Sequence, residues 1–230
     1  MTHPELIIFD WDGTVMDSAA EIVMSMQRAI QDIGLPERDA DRMRELIGLG
    51  LNDVLARLFP EMEVDRVKAL LTAYRRRYTA PGGESRPFAG AEAAIADLHG
   101  RGHWLAVATG KSRRGLDRNF RETGLGPYFR FSRCADETTP KPAPDMLEDI
   151  LLQSATTPDT ALMVGDTEYD MRMARDAGVA AVGVACGVHD TDRLIAAGAL
   201  AVIPDVAALP AWLTARADGQ AMAVGSAPGE

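Results

Sequence analysis

Apolar residues along this chain follow two rhythms, and the change from one to the other marks its organisation. Short, nearly continuous apolar runs of strand length lie at Leu6–Phe9, Trp104–Ala108, Phe131–Ala135, Ala161–Val164 and Val179–Val184, with a shorter one at Leu200–Ile203. Between them, apolar residues recur every three or four positions. This predicts helices over Ala91–His99, Arg113–Glu122, Pro144–Gln153, Glu168–Asp176, Thr191–Ala197 and Val206–Ala215. Strands alternating with helices imply crossover units, hence an α/β fold with a doubly wound parallel sheet covered by helices. Ligands of such sheets bind beyond the carboxyl ends of the strands. Asp10, Thr109 and Asp166 each stand at the end of an apolar run, so one cleft can collect them.

Residues 18 to 80 break the alternation. Ser18-Ala19-Ala20-Glu21 has the form of a capping box, in which Ser and Glu side chains satisfy backbone donors at a helix start. Ile22, Met26, Ala29, Ile30 and Ile33 then share one helical face, and Gly34 with Pro36 ends the helix. Helical patterns follow over Asp39–Ile47, Asn52–Leu58 and Val64–Thr79, and Pro81-Gly82-Gly83 reads as a hinge. The expected division is a discontinuous α/β core (1–16 and 87–216), a small α-helical insert (17–86) and a loose tail (217–230). The Ala- and Gly-rich stretch after Ala215 lacks periodicity.

Composition narrows the possible partners. A chain of 230 residues can bury a full α/β core and carry a smaller accessory domain. A formal charge of -10 disfavours nucleic acid and anionic membranes, which attract basic surfaces. An anionic substrate would need that charge overcome locally. The N-terminus lacks the basic and apolar regions of a signal peptide, and the longest apolar run, Val179–Val188, is short and broken by glycine. Cys134 and Cys186 lack C-x-x-C spacing and read as small buried residues of a reducing cytoplasm, the expected location.

The chemistry centres on Asp10-Trp11-Asp12-Gly13-Thr14, directly after the first apolar run. Two carboxylates one residue apart suit a site where one attacks and its neighbour handles protons, and Asp can carry a phosphoryl group. A strand closing in a solvated acidic turn is the plainer reading. Three further pieces follow in order: Val107-Ala108-Thr109-Gly110, Lys141-Pro142-Ala143-Pro144, and Met163-Val164-Gly165-Asp166-Thr167-Glu168-Tyr169-Asp170. Alone, Thr109 would be a helix cap, Lys141 a solvated surface residue and Asp166 a turn residue. Together, the D-x-D-G-T tetrad, the Thr at a strand end, the lysine motif and the G-D-x-x-x-D motif resemble the haloacid dehalogenase (HAD) superfamily, most of whose members are phosphatases.

The resemblance implies a Rossmann-like core with a small α-helical cap, the insert lying between the first and second motifs. It also implies an Mg²⁺-dependent phosphomonoesterase of phosphoglycolate phosphatase-like type, acting on a small phosphorylated metabolite. Asp10 would attack phosphorus, and Asp12 would protonate the leaving alkoxide and then activate water. Asp10, Asp166 and the backbone carbonyl of Asp12 would hold Mg²⁺. Thr109, Gly110 and Lys141 would bind phosphate. Asp170, one helical turn beyond Asp166, would orient a water or Lys141 from the outer shell. A sugar phosphomutase of the β-phosphoglucomutase kind shares this core and carboxylate pair and stands as the alternative. Dehalogenation is disfavoured by Asp12, and a receiver-type phosphoacceptor by the order of the motifs. A non-catalytic role is disfavoured because no motif residue is missing.

Other features carry less. Gly48-Leu49-Gly50, between two insert helices, matches the place where related enzymes put a substrate-contacting loop, or is a plain turn. Consecutive Arg75, Arg76 and Arg77 point in different directions, so at most one faces substrate, and a solvated helix face is the favoured reading. His99 and His103 read as structural; His189, after the strand ending near Val184, could reach the cleft, with a structural role favoured. Met24, Met26, Met43 and Met62 read as packing within the insert.

Overall fold

Alternate residues of the first strand, β1 (Leu6–Phe9), point into two separate cores, and this period-two split gives the sheet its double cover. In the computed structural model, which describes residues 4–79 and 85–217, β1 is central. It lies between β4 (Trp104–Thr109) and β6 (Ala161–Gly165). The edges are completed by β5 (Phe129–Cys134) on one side and by β7 (Ala180–Val184) and β8 (Ala201–Ile203) on the other. The order is β5-β4-β1-β6-β7-β8 and every pairing is parallel. Ile7 and Phe9 pack with α5 (Ala91–Gly100), α6 (Arg113–Thr123) and α10 (Leu209–Ala217). Leu6 and Ile8 pack with α7 (Asp145–Ser154), α8 (Glu168–Asp176) and α9 (Thr191–Ala196). The winding reverses at β1, so the crevice between β1 and β6 is the topological switch point.

The insert forms its own apolar cluster. It comprises α1 (Ala19–Asp32), α2 (Ala40–Glu45), α3 (Leu51–Leu58) and α4 (Val64–Tyr78), with α1 packed along α4. Val23, Met26, Ile30, Met43, Leu55, Leu58 and Leu70 fill it, and from the core Tyr169 of α8 joins them, with Val188 packed against the cluster. The insert meets the core through a two-strand antiparallel ribbon, β2 (Met16–Asp17) with β3 (Arg86–Pro87). Its strands are too short to leave a periodic signal, which is why the apolar pattern did not predict them.

Some expectations need correction. Ser18 starts α1 but does not cap it: its hydroxyl donates to Asp12 Oδ1 at 2.6 Å. Glu21 instead accepts from the backbone N–H of Ser85 at 3.1 Å and from the Ser85 hydroxyl. A buried carboxylate is a stronger acceptor for that hydroxyl than the helix is a donor to it. Met26 and Met43 are buried in the insert cluster, but Met24 is 45% exposed. The expected helix over Val206–Ala215 divides into a 3₁₀ turn, Val206–Ala208, and α10, which Ala217 ends. The hinge expected at Pro81–Gly83 and residues 218–230 of the expected tail lie outside the described residues.

Separate clusters imply separable stability. Leu70 is fully buried and belongs to the insert cluster alone. Leu70→Ala should destabilise the insert by about 2–5 kcal/mol while leaving the sheet protected. Native-state hydrogen exchange checks this: amides of α1 and α4 should exchange faster and those of β1 and β6 should not. Equal acceleration throughout would show that the two clusters unfold as one.

Candidate active site

The sheet delivers Asp10 to the switch point with its backbone still in the ladder, Asp10 N donating to Val164 O at 2.9 Å. Its side chain is 1% exposed. Oδ1 accepts from Trp11 N at 2.6 Å and pairs with Lys141 Nζ at 2.8 Å. Oδ2 is buried and has no partner. Lys141, on the Pro-rich segment before α7, also reaches Asp170 Oδ1 at 2.6 Å, and its side chain is fully buried. The second oxygen of Asp170 accepts from Thr167 N (3.0 Å) and Thr167 Oγ1 (2.7 Å), which locks it into the first turn of α8. Asp166, at the end of β6, accepts from Thr14 Oγ1 at 2.8 Å and Val188 N at 2.9 Å.

Three buried carboxylates thus lie around one lysine, which pairs with Asp10 and Asp170. Oxygens of Asp10, Asp166 and Asp170 lie within 4.8 Å of one another. Burial pushes the Asp10 carboxyl up, Lys141 opposes this, and the charges of Asp170 and Asp166 add to it. Burial and then the Asp170 charge push Asp166 up to about 7. Although burial alone would lower it, the charges of Asp10 and Asp170 hold the Lys141 ammonium above its ordinary value. A buried anionic cluster with an unpartnered oxygen is short of one cation, and its all-oxygen donor set fits a hard divalent ion. The room is reserved by glycine: Gly13 has φ +85°, and a Cβ there would stand 2.3 Å from Asp166 Oδ2.

Above this cluster lies a cleft of about 1020 Å³ between core and insert, lined by Asp10, Asp12, Thr109, Gly110 and the Gly48-Leu49-Gly50 loop. Lys141, Asp166 and Asp170 are not part of its lining and act from beneath. Asp12 is held on both oxygens by Lys111 Nζ (2.9 and 2.8 Å) and on Oδ1 also by Ser18. Lys111 in turn donates to Tyr78 OH of α4 at 2.9 Å. Although burial opposes it, the Asp12 charge holds the Lys111 ammonium above its ordinary value. Thr109 Oγ1 accepts from Lys111 N at 3.2 Å, which leaves its own proton for an acceptor in the cleft.

The insert is seated over these residues by backbone groups. The Glu45 carbonyl at the end of α2 accepts from Tyr169 OH at 3.2 Å and meets His189 Nε2 at 3.1 Å. A carbonyl only accepts, so Nε2 carries the proton, and Nδ1 accepts from Glu168 N at 3.0 Å. His189 is therefore a structural clip, buried and neutral. His103 Nδ1 meets the Pro4 carbonyl at 2.6 Å, and His99 packs edge-on against Tyr128. Arg75 and Arg76 both line the cleft, where at most one of the three was expected; Arg76 and Arg77 are tied to Asp32 of α1, and Arg75 has no side-chain partner among the described residues. Both cysteines are free; Cys134 is buried and Cys186 half-buried.

All the candidate residues read from the sequence converge on this one place, in two tiers. The residues missed were Lys111, Ser18, Tyr78 and the role of Thr14. Lys111 directly follows Thr109-Gly110, so its position gave a signal. Ser18 was masked by its resemblance to a cap, and nothing in the sequence marked Tyr78. No described helix is long and apolar enough to cross a membrane.

Comparison with known proteins agrees with the geometry. The family model for haloacid dehalogenase-like hydrolases matches residues 7–184. The chain belongs to this family. It is 37% identical to the probable phosphatase IndB of Dickeya dadantii over 84% of this chain and 86% of that one. It is 32% identical to a phosphoglycolate phosphatase of Agrobacterium fabrum, covering 89% and 90% respectively. The crystal structure of a predicted phosphoglycolate phosphatase from Haemophilus somnus superposes with a TM-score of 0.84 at 24% identity, covering 92% of this chain and 98% of that one. That likeness shows that the two chains share one fold.

The seat of the insert gives a test. A Cβ on Gly110 would stand 2.5 Å from Leu49 O and 2.6 Å from Gly48 O, both backbone atoms. Gly110→Ala should leave the core folded but hold the loop off the site, speeding hydrogen exchange across residues 46–54. Unaltered exchange there would show that the loop accommodates the methyl group.

Proposed function

We propose that this HAD-family protein is a phosphatase that hydrolyses a small phosphorylated metabolite through an aspartyl phosphate on Asp10. The observation that carries the reading is the buried, unpartnered Asp10 Oδ2 at the floor of the cleft, beside carboxylates that outnumber their lysine. In the first step a carboxylate oxygen of Asp10 bonds to phosphorus while the bond to the alcohol oxygen breaks, and Asp12 gives that oxygen a proton. In the second step Asp12 takes a proton from water, water oxygen bonds to phosphorus, and the Asp10–phosphorus bond breaks. Asp10, Asp166 and the backbone carbonyl of Asp12 would hold Mg²⁺, which when bound neutralises charge on the phosphoryl oxygens. Lys141 offsets the charge of Asp10, and Asp170 positions Lys141. Thr109 Oγ1 and the backbone at Gly110 hold the phosphate. The names of the Dickeya and Agrobacterium relatives support a phosphatase, and the second a phosphorylated two-carbon acid as substrate.

Residues 17–86 act in this reading as a cap that closes over the cleft and excludes water. Delivery of water by Asp12 separates a hydrolase from the phosphomutase alternative, in which the phosphoryl group would return to a bound sugar.

A phosphate-release assay run beside isomer analysis on hexose phosphates tests the reaction. Stoichiometric inorganic phosphate, Mg²⁺-dependent and needing no bisphosphate activator, is expected. Fast isomerisation with little free phosphate would establish the mutase, and full activity in excess chelator would remove the metal. Asp10→Asn should cost at least roughly three orders of magnitude in kcat, because the attacking group is lost.

The raised Asp166 carboxyl adds a pH dependence. Below about 7 the group is protonated and must release that proton to take a cation. Apparent Mg²⁺ affinity should therefore rise as pH rises through that value, with proton release visible by calorimetry in buffers of different ionisation enthalpy. Affinity independent of pH across neutrality would contradict the assignment of Asp166.

A further inference from the structure

The steps above leave one enclosed cation unused. Among the described residues lining the cleft, Lys111 is the most enclosed cationic side chain, 7% exposed. An ammonium has three protons, and here they go to Asp12 Oδ1, Asp12 Oδ2 and Tyr78 OH. The Tyr78 ring adds a second contact, with Nζ 4.8 Å from its centroid. Lys111 is thus anchored from the cap side by an aromatic residue, and its charge rests against the carboxylate that handles the substrate's leaving oxygen.

That placement fixes what Nζ can reach. Two hydrogen bonds in series, from Nζ to Asp12 and from Asp12 to the leaving oxygen, put Nζ within about 6 Å of that oxygen. A group one or two carbons along the alcohol falls in the same space. Further out, the cleft is lined by Arg75 of α4 and by Arg114 and Arg121 of α6, all exposed and none hydrogen-bonded or ion-paired. On α6, positions 114, 118 and 121 share one face, and Arg118 of that face spends its donors on Glu122 and on Tyr78 O. In a chain of net charge -10 the lining of this cleft still carries six cationic side chains against four carboxylates, Asp10, Asp12, Asp53 and Asp136. This selects for negative charge on the incoming molecule beyond its phosphate.

We propose that Lys111 is a specificity-determining residue that recognises an anionic group, carboxylate or phosphate, borne by the alcohol portion of the substrate close to the ester oxygen. The proposal rests on the phosphomonoesterase reading and names the substrate class of that site. The substrate's anion takes over one of the ammonium protons now given to Asp12, while Tyr78 OH keeps its own. One ion pair is exchanged for another, so a charged substrate frees an Asp12 oxygen at little cost. A neutral alcohol offers no replacement, and Asp12 stays bound.

Calorimetric binding of three unreactive phosphonates, with Mg²⁺ present, tests this without requiring turnover. Propylphosphonate is neutral beyond its phosphonate, phosphonopropionate adds a carboxylate, and ethylenediphosphonate adds a second phosphonate. A charge-assisted hydrogen bond predicts that the wild type binds at least one of the two doubly anionic probes at least roughly tenfold tighter than propylphosphonate. Whichever probe gains identifies the group. In Lys111→Met that ratio should fall to within about threefold, and Lys111→Arg should restore part of it. Lys111→Gln carries the same comparison in the event that the Met variant does not fold. A wild type without preference, a ratio that survives in the variants, or an equal loss for all three probes would each overturn the proposal, the last by confining Lys111 to the support of Asp12. Absence of hydrolysis together with the predicted ratios would count against the phosphatase reading alone.

Discussion

Lys141 is a fully buried ammonium clamped between two buried carboxylates, Asp10 at 2.8 Å and Asp170 at 2.6 Å. Removing one member of such a group leaves an uncompensated interior charge, at a cost of about 3–5 kcal/mol. Its partners come from distant parts of the chain: Asp10 follows the first strand, Asp170 sits in the first turn of α8, and Lys141 precedes α7. They meet because β1 and β6 are neighbours at the point where the sheet reverses its winding. The clamp occupies one oxygen of Asp10 and leaves the other bare. In the proposed reaction structure and chemistry therefore share a residue: the contact that orients Asp10 also leaves its second oxygen without a partner among the described residues.

The insert meets this centre through few groups, several of them backbone. Glu45 O takes two core donors, and the Gly48 and Leu49 carbonyls sit against Gly110. Side-chain control passes through Lys111, which touches the cap at Tyr78 and the core at Asp12. Ser18, at the root of α1, holds Asp12 from the other side. The position of Asp12 therefore depends on both ends of the insert, which ties the carboxylate proposed to handle protons to the seating of the insert.

The sheet was legible in the sequence because β1, β4, β6 and β7 are buried on both faces and read as nearly unbroken apolar runs, whereas the edge strand β5 interleaves arginine and serine. Asp10, Thr109, Gly110 and Asp166 were legible because a carboxylate, hydroxyl or glycine at the end of such a run is conspicuous, whereas Lys141 and Asp170 were read from the motifs that carry the family resemblance. What escaped was local competition for hydrogen bonds. Ser18 has the spacing of a capping residue, and only the folded chain reveals a charged acceptor within its reach. Tyr78 lies on α4 of the insert and Lys111 beyond β4 of the core, so their contact depends on how the insert seats. The β2–β3 ribbon carries no pattern, and the two tiers of carboxylates, Asp12 within the cleft and Asp166 with Asp170 beneath it, could not be separated by spacing alone.

The central claim is that Asp10, and not its neighbour Asp12, carries the phosphoryl group. Borohydride reduction of the enzyme quenched during turnover converts an acyl phosphate to the corresponding alcohol, and peptide mass spectrometry locates the change. The account predicts homoserine at position 10 and unmodified Asp at position 12. Modification at position 12 alone, or turnover with neither residue trapped under conditions that trap a phosphorylated control, would contradict it.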